Sequence, residues 1–168
     1  MLHRMPIVVA VRDILPPVTS LYEMGCGAGA NLRLLQTACP EIRLGGAEPL
    51  TDYRTFAVRA LGIPLDPPGF PSVPAGEWDS VLSCYALAYV EPAIVFETFG
   101  RLREETTVRV VILLEPTEVK TVRVGEASGV HFHGYERILD QAGWKVGRSY
   151  LLLPVHQGLE RCFIFQRA

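Results

Sequence analysis

The chain has 168 residues, 49% of them hydrophobic and 20% charged, and a net charge of −2. That length and apolar content are expected to give one globular domain, 1–168, that buries a core without metal or disulfide staples. Basic residues are scattered singly, so no nucleic-acid-binding run is indicated, and no apolar segment approaches membrane-spanning length.

In chain order, residues 6–14 read as a short leading helix ending at Pro16-Pro17, so that 1–17 forms a leading helix or lid. Arg12 and Asp13 interrupt its apolar stretch and no small-residue cleavage site follows, which is unlike a signal peptide. Cys26, Cys39, Cys84 and Cys162 form no CxxC pair and read as free buried thiols of a reducing, cytoplasmic compartment. Residues 18–24 are a strand, 31–38 a helix stopped near Pro40, 42–48 a second strand and Thr51–Leu61 a helix closed by Gly62. Residues 63–66 allow a third-strand stub. Pro67, Pro68, Gly69, Pro71, Pro74 and Gly76 then preclude regular structure over 67–77. Residues 78–85 are a fourth strand, and 92–103 a helix with Pro92 at its first turn. Residues 108–114 are nearly continuous and β-branched, as a strand buried on both faces requires. A polar irregular stretch, 116–129, leads to a helix over Tyr135–Gln141 that ends at Gly143. Residues 144–153 and 161–167 suit an antiparallel hairpin. The alternation predicts a three-layer α/β/α sandwich, its Rossmann-like sheet mostly parallel and closed by that hairpin.

The chemistry is concentrated where the first strand ends. Gly25, Gly27 and Gly29 occupy alternate positions between a strand and a helix start. Such a turn brings backbone within contact distance of a ligand and leaves the first helix N–H groups facing it. Glu48 closes the second strand, where an acid accepts hydrogen bonds from both ribose hydroxyls. Glycine turn and acid together point to an adenosine-type ligand. The string GCGAGA fits both G-x-G-x-G and the G-x-G-x-x-A dinucleotide fingerprint.

Three further features resolve that ambiguity. Glu23 extends the turn to E-x-G-x-G-x-G. The fourth strand reads WDSVLSCYALAYV, with Asp79 ahead of its apolar run. The sheet ends in a hairpin rather than a second parallel half. Together these resemble the class I S-adenosyl-L-methionine-dependent methyltransferases, from about residue 18 to the C-terminus. The resemblance implies S-adenosylmethionine as cofactor. Gly25, Gly27 and Gly29, with Cys26 between them and Asn31 at the helix start, would hold its methionine part. Glu23 would hold the ammonium or the turn itself. Glu48 would take the ribose hydroxyls, with Pro49 and Leu50 beside the adenine and Asp66 near the position of an adenine-N6 acceptor. Ser83, Cys84 and Tyr85 would face the methionine part from the fourth strand. Many relatives carry a histidine where this chain has Tyr89.

Methyl transfer from a sulfonium needs positioning first and a general base when the acceptor is a hydroxyl or an ammonium. Candidate catalytic groups at strand ends are Tyr85, Tyr89, Glu115 and His133. Each has a plainer reading. Glu115 equally caps the turn at Pro116, Tyr85 and Tyr89 pack the sheet on the next helix, and His133 lines an acceptor pocket or caps a helix. His131 and His133 share a face if extended, yet without a nearby third ligand no metal is expected. Cys84 has no partner for a nucleophilic role.

The expected function is therefore a methyltransferase acting on a small-molecule acceptor, its acceptor site built from residues 1–17, 66–77 and 117–133. One alternative is a catalytically inactive scaffold of the same fold that binds cofactor or a partner protein. Another is a short NAD(P)-dependent oxidoreductase, but no lysine follows Tyr53, Tyr85, Tyr89, Tyr135 or Tyr150 by four residues.

Overall fold

A computed structural model describes residues 4–67, 69–117, 122–124, 130–155 and 158–168. The elements run α1 (Met5–Arg12), β1 (Ser20–Met24), α2 (Ala30–Ala38), β2 (Arg43–Ala47), α3 (Thr51–Leu61) and β3 (Leu65–Asp66), followed by β4 (Ser80–Cys84). A 3-10 turn, Leu87–Tyr89, precedes α4 (Pro92–Glu105). Then come β5 (Val110–Thr117), β6 (Val122–Val124), β7 (Val130–Phe132), α5 (Tyr135–Gln141), β8 (Trp144–Val155) and β9 (Gly158–Arg167).

Seven strands form one sheet in the order β3-β2-β1-β4-β5-β9-β8. The first five are parallel, β9 runs antiparallel to β5, and β8 pairs antiparallel with β9. The strand order reverses between β1 and β4, and open α/β sheets bind ligands in the crevice at such a switch point.

Period-two alternation sends successive side chains to opposite faces, and each face buries its own core. On one face, Leu21, Leu82, Ile112 and Leu114 meet Ile7 and Val11 of α1 and Leu32 and Leu35 of α2. On the other, Tyr22, Val81, Val111 and Leu113 meet Phe99 and Leu102 of α4 and Ile138 and Leu139 of α5. Every residue from Val110 to Leu114 is at most 1% exposed, as both faces of β5 are covered. The three-layer sandwich with a terminal hairpin follows the sequence pattern.

Two stretches depart from that pattern. β5 does not stop at Leu114 but continues through Pro116 to Thr117, because β9 pairs with it along the whole length. Within 116–129, expected to be irregular, β6 lies antiparallel to β7. Pairing with a neighbouring strand overrides weak local propensity in both places. Among the described residues, no helix is long and apolar enough to cross a membrane.

Candidate functional site

The glycine turn is fastened to the sheet by its own backbone. The N–H groups of Gly25 and Cys26 both donate to the Ala47 carbonyl of β2, at 2.9 and 3.0 Å. Gly29 has φ +81°, and a Cβ there would lie 2.5 Å from Leu61 Cδ1. Glycine is thus required for both conformation and packing, and the turn is pressed onto α3. Gly27 has φ +56°, but a Cβ would meet nothing within 4 Å. Its outer side faces open space, as a ligand cradle needs. The Gly27 N–H donates to Glu48 Oε2 at 2.7 Å, and the Leu50 N–H to Glu48 Oε1 at 2.9 Å. Each carboxylate oxygen keeps a second lone pair for a ligand hydroxyl.

Two cavities flank this turn. The larger, about 460 Å³, is lined by Gly25, Gly27, Glu48, Pro49, Leu50, Tyr53, Phe70, Tyr85, Ala86 and Tyr89. The second, about 310 Å³, is lined by Arg4, Gly25 to Ala28, Ala30, Asn31, Cys84 and Tyr85. They share Gly25, Gly27 and Tyr85, so the two compartments adjoin along one wall. Aromatic and aliphatic side chains wall the first compartment, while a guanidinium and an amide stand at the second.

Glu23 lies on β1 beneath the turn and is fully buried. Its Oε1 accepts from Asn31 Nδ2 at 2.6 Å, and Asn31 Oδ1 accepts from Arg4 Nη1 at 2.9 Å. Oε2 has no hydrogen-bond partner among the described residues. Burial pushes the carboxyl up to about 8, against the Asn31 hydrogen bond and the Arg4 charge. Cys26 and Cys84, beside it, are likewise pushed up by burial. Their thiols are therefore poor nucleophiles.

The fourth-strand residues diverge. Cys84 faces the second cavity. Ser83, one residue earlier, points to the α4–α5 face, where its hydroxyl donates to Glu115 Oε1 at 2.7 Å. The same oxygen accepts the N–H groups of Ala86 at 3.0 Å and Leu87 at 3.1 Å. Glu115 is fully buried, and burial pushes its carboxyl up to about 7 despite these donors. His133, also fully buried, donates from Nε2 to the Leu87 carbonyl at 3.0 Å.

The four catalytic candidates therefore fall into two pairs. Tyr85 and Tyr89 line the larger cavity, 38% and 69% exposed. Glu115 and His133 sit behind the turn that carries those tyrosines. Glu115 caps that turn rather than one at Pro116, which lies within β5. Of the residues expected at a cofactor, Gly25, Cys26, Gly27, Asn31, Glu48, Pro49, Leu50 and Cys84 line one of the two cavities, and Gly29 and Glu23 brace the wall. Asp66 accepts the Tyr22 hydroxyl at 2.9 Å and does not line either cavity. Asp79 lies at the opposite end of the strands, just before β4, accepting the N–H and hydroxyl of Thr19. Among the described residues, no group of three or more His, Cys, Asp or Glu is placed to hold a metal. The side chain of His131 lies outside those residues.

Sequence reasoning missed Arg4, Tyr53, Phe70 and Ala86. Phe70 carried a weak signal, as the single aromatic among prolines. Arg4 carried none, because only the docking of α1 on the sheet brings it to the second cavity.

No protein-family model matches the sequence, and no curated protein matches it. Solved structures do. An O-methyltransferase from a trans-AT polyketide synthase of Brevibacillus brevis, in complex with S-adenosylhomocysteine, superposes with a TM-score of 0.79 at 10% identity. The match covers 98% of this chain and 72% of that one. A sugar N-methyltransferase of Streptoalloteichus gives 0.73 at 18% identity, covering 98% and 86%. Magnesium protoporphyrin IX methyltransferase of Synechocystis, with bound S-adenosylhomocysteine, gives 0.74 at 16%, covering 98% and 82%. The chain has the class I S-adenosylmethionine-dependent methyltransferase fold.

Proposed function

We propose that this chain is an S-adenosylmethionine-dependent methyltransferase acting on a small-molecule acceptor. The reading takes 1–168 as one domain and α1, within 1–17, as part of the cofactor site. One observation carries it. A fully buried carboxylate oxygen, Glu23 Oε2, has no hydrogen-bond partner among the described residues, and it lies behind a glycine cradle whose middle glycine faces open space. A buried acceptor without a partner costs roughly 1–3 kcal/mol, and a cationic group in the adjoining compartment offsets that.

The residues fit the cofactor part by part. The ammonium would lie toward Glu23 and Asn31, and the carboxylate toward Arg4 and the first N–H groups of α2. The free lone pairs of Glu48 suit ribose hydroxyls, and Pro49, Leu50, Tyr53 and Phe70 suit a flat base. When bound, S-adenosylmethionine supplies an activated methyl group on a sulfonium. The protein's own part is to orient and to exclude water. Leu50, Phe70, Tyr85 and Tyr89 wall the larger compartment with apolar surface, an environment that disfavours concentrated positive charge. Tyr53, Tyr85 and Tyr89 bring hydroxyls to its lining, Tyr85 and Tyr89 from the fourth-strand side. Orientation of the acceptor would supply much of the rate, with the phenols of that wall as the groups to hydrogen-bond it.

Isothermal titration with S-adenosylmethionine and S-adenosylhomocysteine tests the cofactor. Saturable binding of either at micromolar concentration supports the reading, and no binding at millimolar concentration refutes it. Transfer of labelled methyl from S-adenosylmethionine to a panel of phenols, carboxylic acids and amines then separates an enzyme from an inactive scaffold.

A further inference from the structure

Among the described residues, Tyr85 is the single non-glycine with positive φ, at +55°. It is also the side chain that walls both cavities. A tyrosine in the left-handed region is strained by about 1–2 kcal/mol, and such strain persists only where the surroundings over-determine it. The Tyr85 N–H donates to the Leu114 carbonyl at 3.0 Å. Directly after Leu114, the buried carboxylate of Glu115 gathers Ser83 Oγ and the N–H groups of Ala86 and Leu87 on one oxygen. His133 Nε2 donates to the carbonyl of the same Leu87. Leu87 is thus gripped at both its N–H and its carbonyl. The Glu115 grip comes from the α4–α5 side of the sheet, because alternation along β5 turns Glu115 to the face of Val111 and Leu113.

We propose that Glu115 and His133 are positioning residues: they hold the Tyr85–Tyr89 turn in the one conformation that forms the wall common to both ligand compartments. They thereby set ligand affinity without touching the ligand. This rests on the methyltransferase reading for the identity of the ligand, though not for the clamp. The titratable and polar groups around Glu115 are Ser83 and Cys84 on β4, Tyr135 on α5, and Arg161, its cross-strand partner on β9. Arg161 is itself drawn to Glu136, 4.0 Å away. The Tyr135 hydroxyl is buried with no hydrogen-bond partner among the described residues, and burial and the Glu115 charge both push its ionisation upward. Glu115 Oε1 accepts directly from the Ala86 and Leu87 amides, so its ionisation is felt at those amides.

The test uses the ligand-free chain and amide NMR. In the wild type, the Ala86 and Leu87 amide shifts titrate together near pH 7. In E115Q the titration disappears, while exchange at both amides stays within about threefold of wild type, since the amide carbonyl still accepts. In E115A, exchange at Ala86 and Leu87 accelerates about tenfold or more relative to Tyr22 and Met24 of β1. Calorimetry with S-adenosylhomocysteine shows a parallel loss of about tenfold in E115A and in H133F, with affinity restored in E115Q. Amides that neither titrate nor speed up overturn the clamp, as does acceleration spread evenly over β1. Should E115A fail to fold, the wild-type and E115Q titrations decide alone, and a titration retained in E115Q overturns the proposal. A wild-type chain that binds no S-adenosylhomocysteine overturns the methyltransferase reading and the claim about affinity. Retained binding with unmoved amides overturns the clamp only.

Discussion

Replacing Glu23 by glutamine separates what this residue costs the fold from what it gives the site. The carboxyl ordinarily titrates at 4.5 and is pushed by burial to about 8 in the folded chain. Between those values the folded state keeps a proton that the unfolded state has lost. Stability is therefore full below about 4.5 and declines as pH rises through about 8. Each such unit is worth about 1.4 kcal/mol, so wild-type stability falls by roughly 2–3 kcal/mol between about pH 6 and pH 8 through this residue alone. Glutamine keeps the carbonyl that accepts from Asn31 Nδ2 and carries no titrating proton. Urea denaturation of both proteins across that range, at constant salt, isolates the contribution as the difference between the two curves. The E23Q chain becomes the more stable of the pair toward alkaline pH. A difference that stays constant from pH 6 to pH 8 refutes the reasoning. Ligand binding gives the converse result. An ammonium beside Glu23 pulls its proton off, so binding of S-adenosylhomocysteine releases a proton near pH 7 and tightens with rising pH. The calorimetric enthalpy then depends on the buffer for wild type and not for E23Q, whose affinity falls about tenfold or more.

Gly27 and Gly29 make a matched pair. G29A is expected to lose about 2–4 kcal/mol in chemical denaturation, as its Cβ would meet Leu61 at 2.5 Å in a left-handed turn. G27A meets nothing, loses only about 1 kcal/mol, and yet weakens S-adenosylhomocysteine binding because its methyl group enters the cavity. E48A is expected to cost about 100-fold in that affinity, since two ribose hydrogen bonds to a carboxylate are lost, and a calorimetric change under threefold refutes the assignment. R4A lowers affinity for S-adenosylhomocysteine about tenfold and leaves 5′-methylthioadenosine, which lacks the amino-acid part, unaffected in the same titration.

The helices Thr51–Leu61 and Tyr135–Gln141 could be bounded from sequence because their stops, Gly62 and Gly143, are local: both have positive φ. The cradle was legible for the same reason. Alternate glycines between a strand and a helix have few other uses, and Glu48 stands at the end of the neighbouring strand. The reach of β5 past Pro116 was not legible, because it depends on β9, more than forty residues further along the chain. Nor was the separation of Ser83 from Cys84. Adjacent strand residues always point to opposite faces, but which face holds the ligand is decided by where the helices dock. That docking set Glu115 and His133 behind the Tyr85–Tyr89 turn, bonded to Ala86 and Leu87. It also carried Arg4 to the mouth of the cradle.

By itself the sequence determined the order of elements, the glycine cradle and the acid at the second strand, since each depends on backbone conformation or short-range spacing. The tertiary structure alone decided which candidate side chains meet at the cavities and which lie behind them. Those facts depend on the layering of helices on a sheet whose two faces a one-dimensional pattern leaves equivalent.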